Sequence, residues 1–263
     1  MTSPKKLLVV NPNTSQKMTA TIAQSVEAAA SIFGGFIECT TVCADKGVES
    51  VEGAFDEAIS TYWTLEKVLP LLEEYDGVLI ACFSNHASVK ALREATCKPV
   101  LHVMEAAILQ ACPVGAKFSI VTDSDHWRPH LEEGVRDLGA HDKLASVRDA
   151  GMTALDTVSL DRTEVVRRLV EASRVAVQDD KAEVILLGCA GMAGLKETIS
   201  QQLGVPVIDA VMSGVCVVAG LLASGCHTSK RAMYTQLEPR PHEVNVPEPG
   251  IMAAYGATLG LPK

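Results

Sequence analysis

Two cysteines in this chain stand where a thiol can do chemistry. Cys82 closes the run Gly77-Val-Leu-Ile-Ala-Cys82, and Cys189 follows Val184-Ile-Leu-Leu-Gly188. Four apolar residues in a row predict a buried strand, and Gly188 a sharp turn. The turn is followed in both cases by small or polar residues and a helical pattern. A thiol there is expected at the carboxyl end of a strand and the amino end of a helix, where N–H groups and the helix dipole favour a thiolate. A thiolate in such a position serves as a base or as a nucleophile.

The spacing around both cysteines repeats. Pro99 follows Cys82 by 17 positions, and Pro206 follows Cys189 by the same 17. Each proline opens a similar run, Pro99-Val-Leu-His-Val103 and Pro206-Val-Ile-Asp-Ala210. The repeat reads as an internal duplication that puts one cysteine in each of two similar lobes.

The elements that must position these thiols alternate along the chain. Residues 6–10 predict a buried strand, ending in Asn11-Pro-Asn-Thr-Ser15, where Asn13 or Thr14 can cap a helix to about residue 32. Residues 36–42 predict a strand and 54–69 a helix, with Phe55, Ala58, Ile59, Tyr62, Leu65 and Leu69 as its apolar stripe. A helix over 104–111, strands over 116–122 and 144–147, and a helix capped by Asp161 lead to the Cys189 strand. A helix over 211–222 and a proline-containing extended stretch over 239–249 complete the pattern. The expected fold is α/β: two pseudo-symmetric, flavodoxin-like lobes with largely parallel sheets and the active site in the cleft between them. Residues 1–103 with 212–263 are expected to form the lobe carrying Cys82, and 104–211 the lobe carrying Cys189.

Composition narrows the function classes. A chain of 263 residues with 48% apolar content buries a sizeable core. Its net charge of −9 argues against a nucleic acid or an anionic membrane as partner. No apolar run approaches the length of a membrane span, and the first residues are too short for a signal peptide. Eight cysteines, several inside apolar segments, fit free thiols and a cytoplasmic location. Cys39 and Cys43 would share one strand face without a second ligand pair, so no metal site is expected. Gly188, Gly191 and Gly194 do not spell a dinucleotide fingerprint, so no nucleotide cofactor is expected either. His86, four residues after Cys82, reads as a polar rim residue rather than a base.

Nearly the whole chain resembles the aspartate/glutamate/hydantoin racemase superfamily, in its hydantoin and allantoin racemase branch. The resemblance is carried by Asn11-Pro-Asn-Thr-Ser15, by Ser50-Val-Glu-Gly53 with Asp56-Glu57, by Cys82-Phe83, by Glu105-Ala-Ala107, by Val121-Thr122, and above all by Leu187-Gly-Cys-Ala-Gly-Met192. Amino-acid racemases of the superfamily have Cys-Asn-Thr and Cys-Thr-His at these places. Cys82-Phe-Ser-Asn85 and Cys189-Ala-Gly-Met192 favour a neutral cyclic substrate instead.

The resemblance implies a cofactor-independent racemase, a cyclic ureide as small-molecule partner and a homo-oligomer. Cys82 and Cys189 would be catalytic, and Asn11, Ser50, Ser84, Asn85, Thr122, Gly188, Ala190 and Gly191 would bind substrate. One thiolate would remove the proton next to a carbonyl while the other thiol donates one from the opposite face. Asn11, Ser84, Thr122 and backbone N–H groups would stabilise the enolate oxygen. The chain departs from the branch at Ser84-Asn85-His86, where Gly-Asp-Pro is usual, at Gly47-Val48, where Gly-Pro is usual, and at Asp123, where a second Thr is common. A maleate-type isomerase using one cysteine as nucleophile, an amino-acid racemase and a non-catalytic two-lobed binding protein are the competing readings.

Overall fold

The strands are apolar on both faces because each sheet is covered on both sides. The computed structural model describes residues 3–235. Its first half consists of β1 (Lys5–Asn11), α1 (Gln16–Ser31), β2 (Ile37–Cys43), α2 (Ala54–Val68), β3 (Gly77–Ile80), α3 (Ala87–Ala95), β4 (Val100–His102) and α4 (Val103–Ala111). The second half consists of β5 (Phe118–Thr122), α5 (Arg128–Asp137), β6 (Leu144–Asp149), α6 (Asp156–Ser159), α7 (Arg162–Gln178), β7 (Val184–Leu187), α8 (Lys196–Leu203), β8 (Val207–Ile208) and α9 (Ala210–Ala223). The strands form two four-stranded sheets, ordered β2-β1-β3-β4 and β6-β5-β7-β8. All neighbouring strands run parallel. The two halves repeat one topology, as the cysteine–proline spacing predicted.

Side-chain alternation assigns the layers. Leu7, Val9, Leu79 and Leu101 of the first sheet share one core with Phe118, Ile120, Val184, Leu186 and Ile208 of the second. Helices α1, α4 and α9 contribute to this same core through Ile22, Val26, Ala107, Ile108, Val215 and Val218. The opposite strand faces are covered separately. Leu8, Val10, Val78, Ile80 and Val100 pack with Val68, Val89 and Leu92 of α2 and α3. Val121, Ile185, Leu187 and Val207 pack with Leu169, Val170 and Ile199 of α7 and α8. One continuous core therefore fixes one sheet against the other, and with it the two strand ends that carry the thiols.

Two local expectations differ. The N-cap of α1 is Ser15, whose Oγ accepts the Met18 N–H, rather than Asn13 or Thr14. The buried face of α2 is Ser60, Thr64 and Val68, while Phe55 is 80% exposed. The reason is a polar contact that hydropathy does not register: the Ser60 hydroxyl donates to the Pro12 carbonyl at 2.5 Å. The predicted stretch over 239–249 lies outside the described residues.

Candidate active site

Cys82 and Cys189 occupy equivalent places. β3 ends at Ile80 and β7 at Leu187, so each cysteine stands two residues beyond its strand. Val10 pairs with Ile80, and Val121 pairs with Leu187. The linking residues follow the same rule: Ala81 N–H donates to Val10 O, and Gly188 N–H donates to Val121 O, both at 2.8 Å. By this register Asn11 corresponds to Thr122, and Pro12 to Asp123. Gly188 is required by contact, since a Cβ there would lie 2.8 Å from Ile120 Cγ2 and 3.0 Å from the Val121 carbonyl.

The two thiols line one pocket of about 30 Å³, together with Asn13, Phe83, Asp123, Trp127, Ala154 and Ala190, among others. A larger pocket of about 370 Å³ shares Trp127 and is bordered by Glu57, Ser84, Asn85, His130 and Asp137. The narrow pocket is far below the few hundred Å³ of a typical small-molecule site.

Neither thiol stands at the first turn of an α-helix, contrary to the sequence expectation. Four residues separate Cys82 from α3, and α8 begins only at Lys196, after a single 3₁₀ turn over Ala190–Met192. The helix dipole falls off within a turn, so it does little at either sulfur. Burial dominates instead. It pushes the Cys82 thiol up to about 12, with the Glu57 carboxylate adding to the rise and a hydrogen bond from Ser84 opposing it. The Cys189 thiol is also held well above its ordinary value, first by burial and then by the Asp123 charge. The Gly191 N–H, donating to Cys189, works in the opposite direction. Both cysteines are resting thiols at neutral pH, partly accessible from the pocket.

The sequence-selected residues divide into three groups. Gly188 and Ala190 line the thiol pocket, and Gly191 points its N–H at Cys189. Ser84 touches Cys82, with Oγ 3.5 Å from Sγ, and borders the larger pocket with Asn85, whose amide donates to Asp137 at 2.9 Å. Asn11, Ser50 and Thr122 are buried beside the pocket and engaged elsewhere. The Asn11 amide donates to Asn13 Oδ1 and Thr19 Oγ1. Ser50 donates to Glu52 at 2.6 Å, and Thr122 donates to the Gly188 carbonyl at 3.4 Å. Thr122 therefore ties down backbone at the second strand end, while Asn11 ties side chains at the first and keeps a buried Oδ1 without a hydrogen-bond partner among the described residues.

His86 is a correction. It is fully buried rather than on the rim, caps α3 by accepting the Ser88 N–H, and lies 3.1 Å from Ser60 Oγ. Burial holds its imidazole down at about 4, so it is neutral. It is the residue before α3, not within it.

Asp123, which sequence reasoning left without a role, and Asn13, which it took for a helix cap, are polar groups of the pocket lining. Asp123 is 2% exposed, shares the pocket lining with Cys189 and accepts, through Oδ1, the Ser124 N–H at 2.7 Å. Burial raises its carboxyl to about 7, while the Ser124 N–H and the Cys189 thiol pull the other way. Asn13 Nδ2 has the Met18 sulfur as its partner, at 3.3 Å, a weak acceptor that a ligand oxygen can replace. The available signal was position: Asp123 directly follows the end of a strand that neighbours the Cys189 strand.

Comparison with known proteins agrees with this geometry. Residues 7–217 match the family described as Asp/Glu/Hydantoin racemase. A hydantoin racemase of Paenarthrobacter aurescens is 38% identical over 233 residues, spanning 87% of this chain and 96% of that one. An allantoin racemase from Klebsiella pneumoniae superposes with a TM-score of 0.85 at 33% identity, covering 92% of this chain and 97% of its own. The allantoin racemase from Pseudomonas fluorescens gives 0.84 at 36% identity, with coverages of 91% and 99%. The chain belongs to the Asp/Glu/hydantoin racemase family, and within it to the enzymes that racemise.

Proposed function

We propose that this enzyme inverts the carbon next to a carbonyl in a neutral cyclic ureide, a 5-substituted hydantoin or allantoin, by proton transfer between Cys82 and Cys189. The observation that carries the reading is that both thiols stand at equivalent strand ends and line the same pocket. In the reactive state one cysteine is a thiolate. It takes the proton from the ring carbon, and the C–H electron pair moves into the adjacent carbonyl to form an enolate. The other cysteine, as a thiol, protonates the opposite face. Backbone N–H groups beyond the cysteines and the Asn13 amide are suited to hold the enolate oxygen.

The lining supports a neutral substrate. Asp123 is the one ionisable side chain there besides the thiols, and no lining residue is cationic. A free amino acid would bring a carboxylate with no partner, which is costly in a closed site. Met18, Val51, Phe83 and Trp127 offer apolar contact to a ring and its substituent.

The test is deuterium incorporation from heavy water into single enantiomers of a 5-substituted hydantoin, allantoin, aspartate and glutamate. Exchange accompanied by inversion in the ureides alone is expected. Inversion of an amino acid, or exchange in none of the four, would reject the substrate class.

A further inference from the structure

We propose that Asp123 is a proton relay that resets the cysteine pair between turnovers, an inference that rests on the two-thiol reading above. Inversion leaves the pair exchanged: the cysteine that took a proton is now a thiol, and the one that gave a proton is now a thiolate. Before the same enantiomer can react again, one proton must return. Asp123 lines the pocket of about 30 Å³ together with both sulfurs, and its charge is among the causes that hold the Cys189 thiol up. The ion pairs of the described residues do not include it, and no Lys, Arg or His lines its pocket. A buried carboxyl without a cation gains nothing structurally from being ionisable.

The relay balances. With Cys189 as the base, turnover ends in Cys189 thiol and Cys82 thiolate. The Cys189 S–H gives its proton to the Asp123 carboxylate, leaving a thiolate and a carboxylic acid. The acid then gives its proton to the Cys82 thiolate, restoring the carboxylate and a thiol. One proton has moved from Cys189 to Cys82, and no bond other than S–H and O–H has changed. For the other enantiomer the same steps run backwards. The titratable groups that act on Asp123 are Cys189 and Cys82 at the strand ends and the Glu52 carboxylate from the loop before α2. Its carboxyl, raised to about 7, is matched to exchanging protons near neutrality, whereas two resting thiols alone are not.

Asp123→Asn keeps the Oδ1 acceptor for Ser124 and removes the relay. With enzyme in excess over a hydantoin enantiomer, its first turnover, which needs one cysteine ionised once and no reset, is expected to fall by clearly less than its steady-state rate. Its steady-state kcat at saturating substrate is expected to fall by about 100-fold. Formate, a carboxylate smaller than the substrate, should restore part of the lost kcat in the variant and leave wild type unchanged. Asp123→Glu, which retains a carboxyl, should keep most of the steady-state rate without formate. Equal losses in first turnover and steady state, or a kcat within twofold of wild type for Asp123→Asn, would overturn the relay. Wild-type enzyme that inverts no ureide removes the reading beneath it, and that result is seen before any variant is made.

Discussion

Glu52 bridges the two halves of the molecule: its carboxylate oxygens lie 3.2 and 3.3 Å from the backbone nitrogen of Ala154. Val51 and Ala154, beside this bridge, both line the thiol pocket. Ser50, a sequence candidate for substrate binding, donates to the same carboxylate and so acts on the pocket through it. Glu52→Ala should cost about 1.5–3 kcal/mol of stability, the value of a hydrogen bond to a charged group. It should also raise KM more than it lowers kcat, because the pocket walls lose their tie. Thermal unfolding and steady-state kinetics on one preparation check both; an unchanged Tm would refute the bridge.

Cys82→Ser and Cys189→Ser should each lose racemisation in both directions, by about 10²- to 10⁴-fold, since inversion needs a base and an acid. Each variant should still exchange the ring hydrogen of one enantiomer with solvent deuterium, with retention. The two variants should favour opposite enantiomers. Nuclear magnetic resonance of the ring proton together with chiral chromatography reads this; a shared preference would refute opposite faces.

Gly191→Ala tests the N–H that points at Cys189. A Cβ there would stand 2.0 Å from Thr157 Oγ1 and 3.1 Å from its Cβ. The 3₁₀ turn after Cys189 must shift, at about 1–3 kcal/mol of overpacking. Activity should fall with it as the N–H leaves the sulfur. Adding Thr157→Ala removes the hydroxyl and should recover part of both losses; a double variant no better than the single would disprove the steric account.

Acid should destabilise the fold through two buried imidazoles. Burial holds His86 at about 4 and His102 at about 3, both below the ordinary 6.5. Folded-state values this low mean that the unfolded chain binds the protons first. Their contribution is complete above pH 6.5 and is lost as pH falls through 6.5 towards 4 and 3. At pH 4 the loss from His86 is of order 3 kcal/mol. His86→Asn, an adequate N-cap, should show a shallower fall of Tm between pH 6.5 and 4 than wild type.

Much of the fold was legible because buried parallel strands are apolar throughout and the duplication repeats their spacing. Leu187-Gly188-Cys189 disclosed its turn, since only glycine fits beneath Ile120. The burial of α2 was not legible, because Ser60 is held inward by a hydrogen bond to Pro12 that no hydropathy pattern encodes. His86 and Asp123 failed for a related reason: a polar residue at a strand or helix end faces solvent or interior depending on the neighbouring element. The thiol acidities also escaped, because the turn after Cys189 delays α8 and leaves burial to decide them.

Pro12 stands at the place in the first half that Asp123 holds in the second, so the duplicated site is chemically lopsided around a pair of matched thiols. Enantiomers have equal free energy in an achiral solvent, and for a substrate with one stereocentre no enzyme can favour either at equilibrium. The specificity constant kcat/KM must therefore be identical in the two directions. A carboxyl contributed by only one half can express itself solely in compensating pairs: whichever enantiomer turns over faster at saturation must have the higher KM, by the same factor.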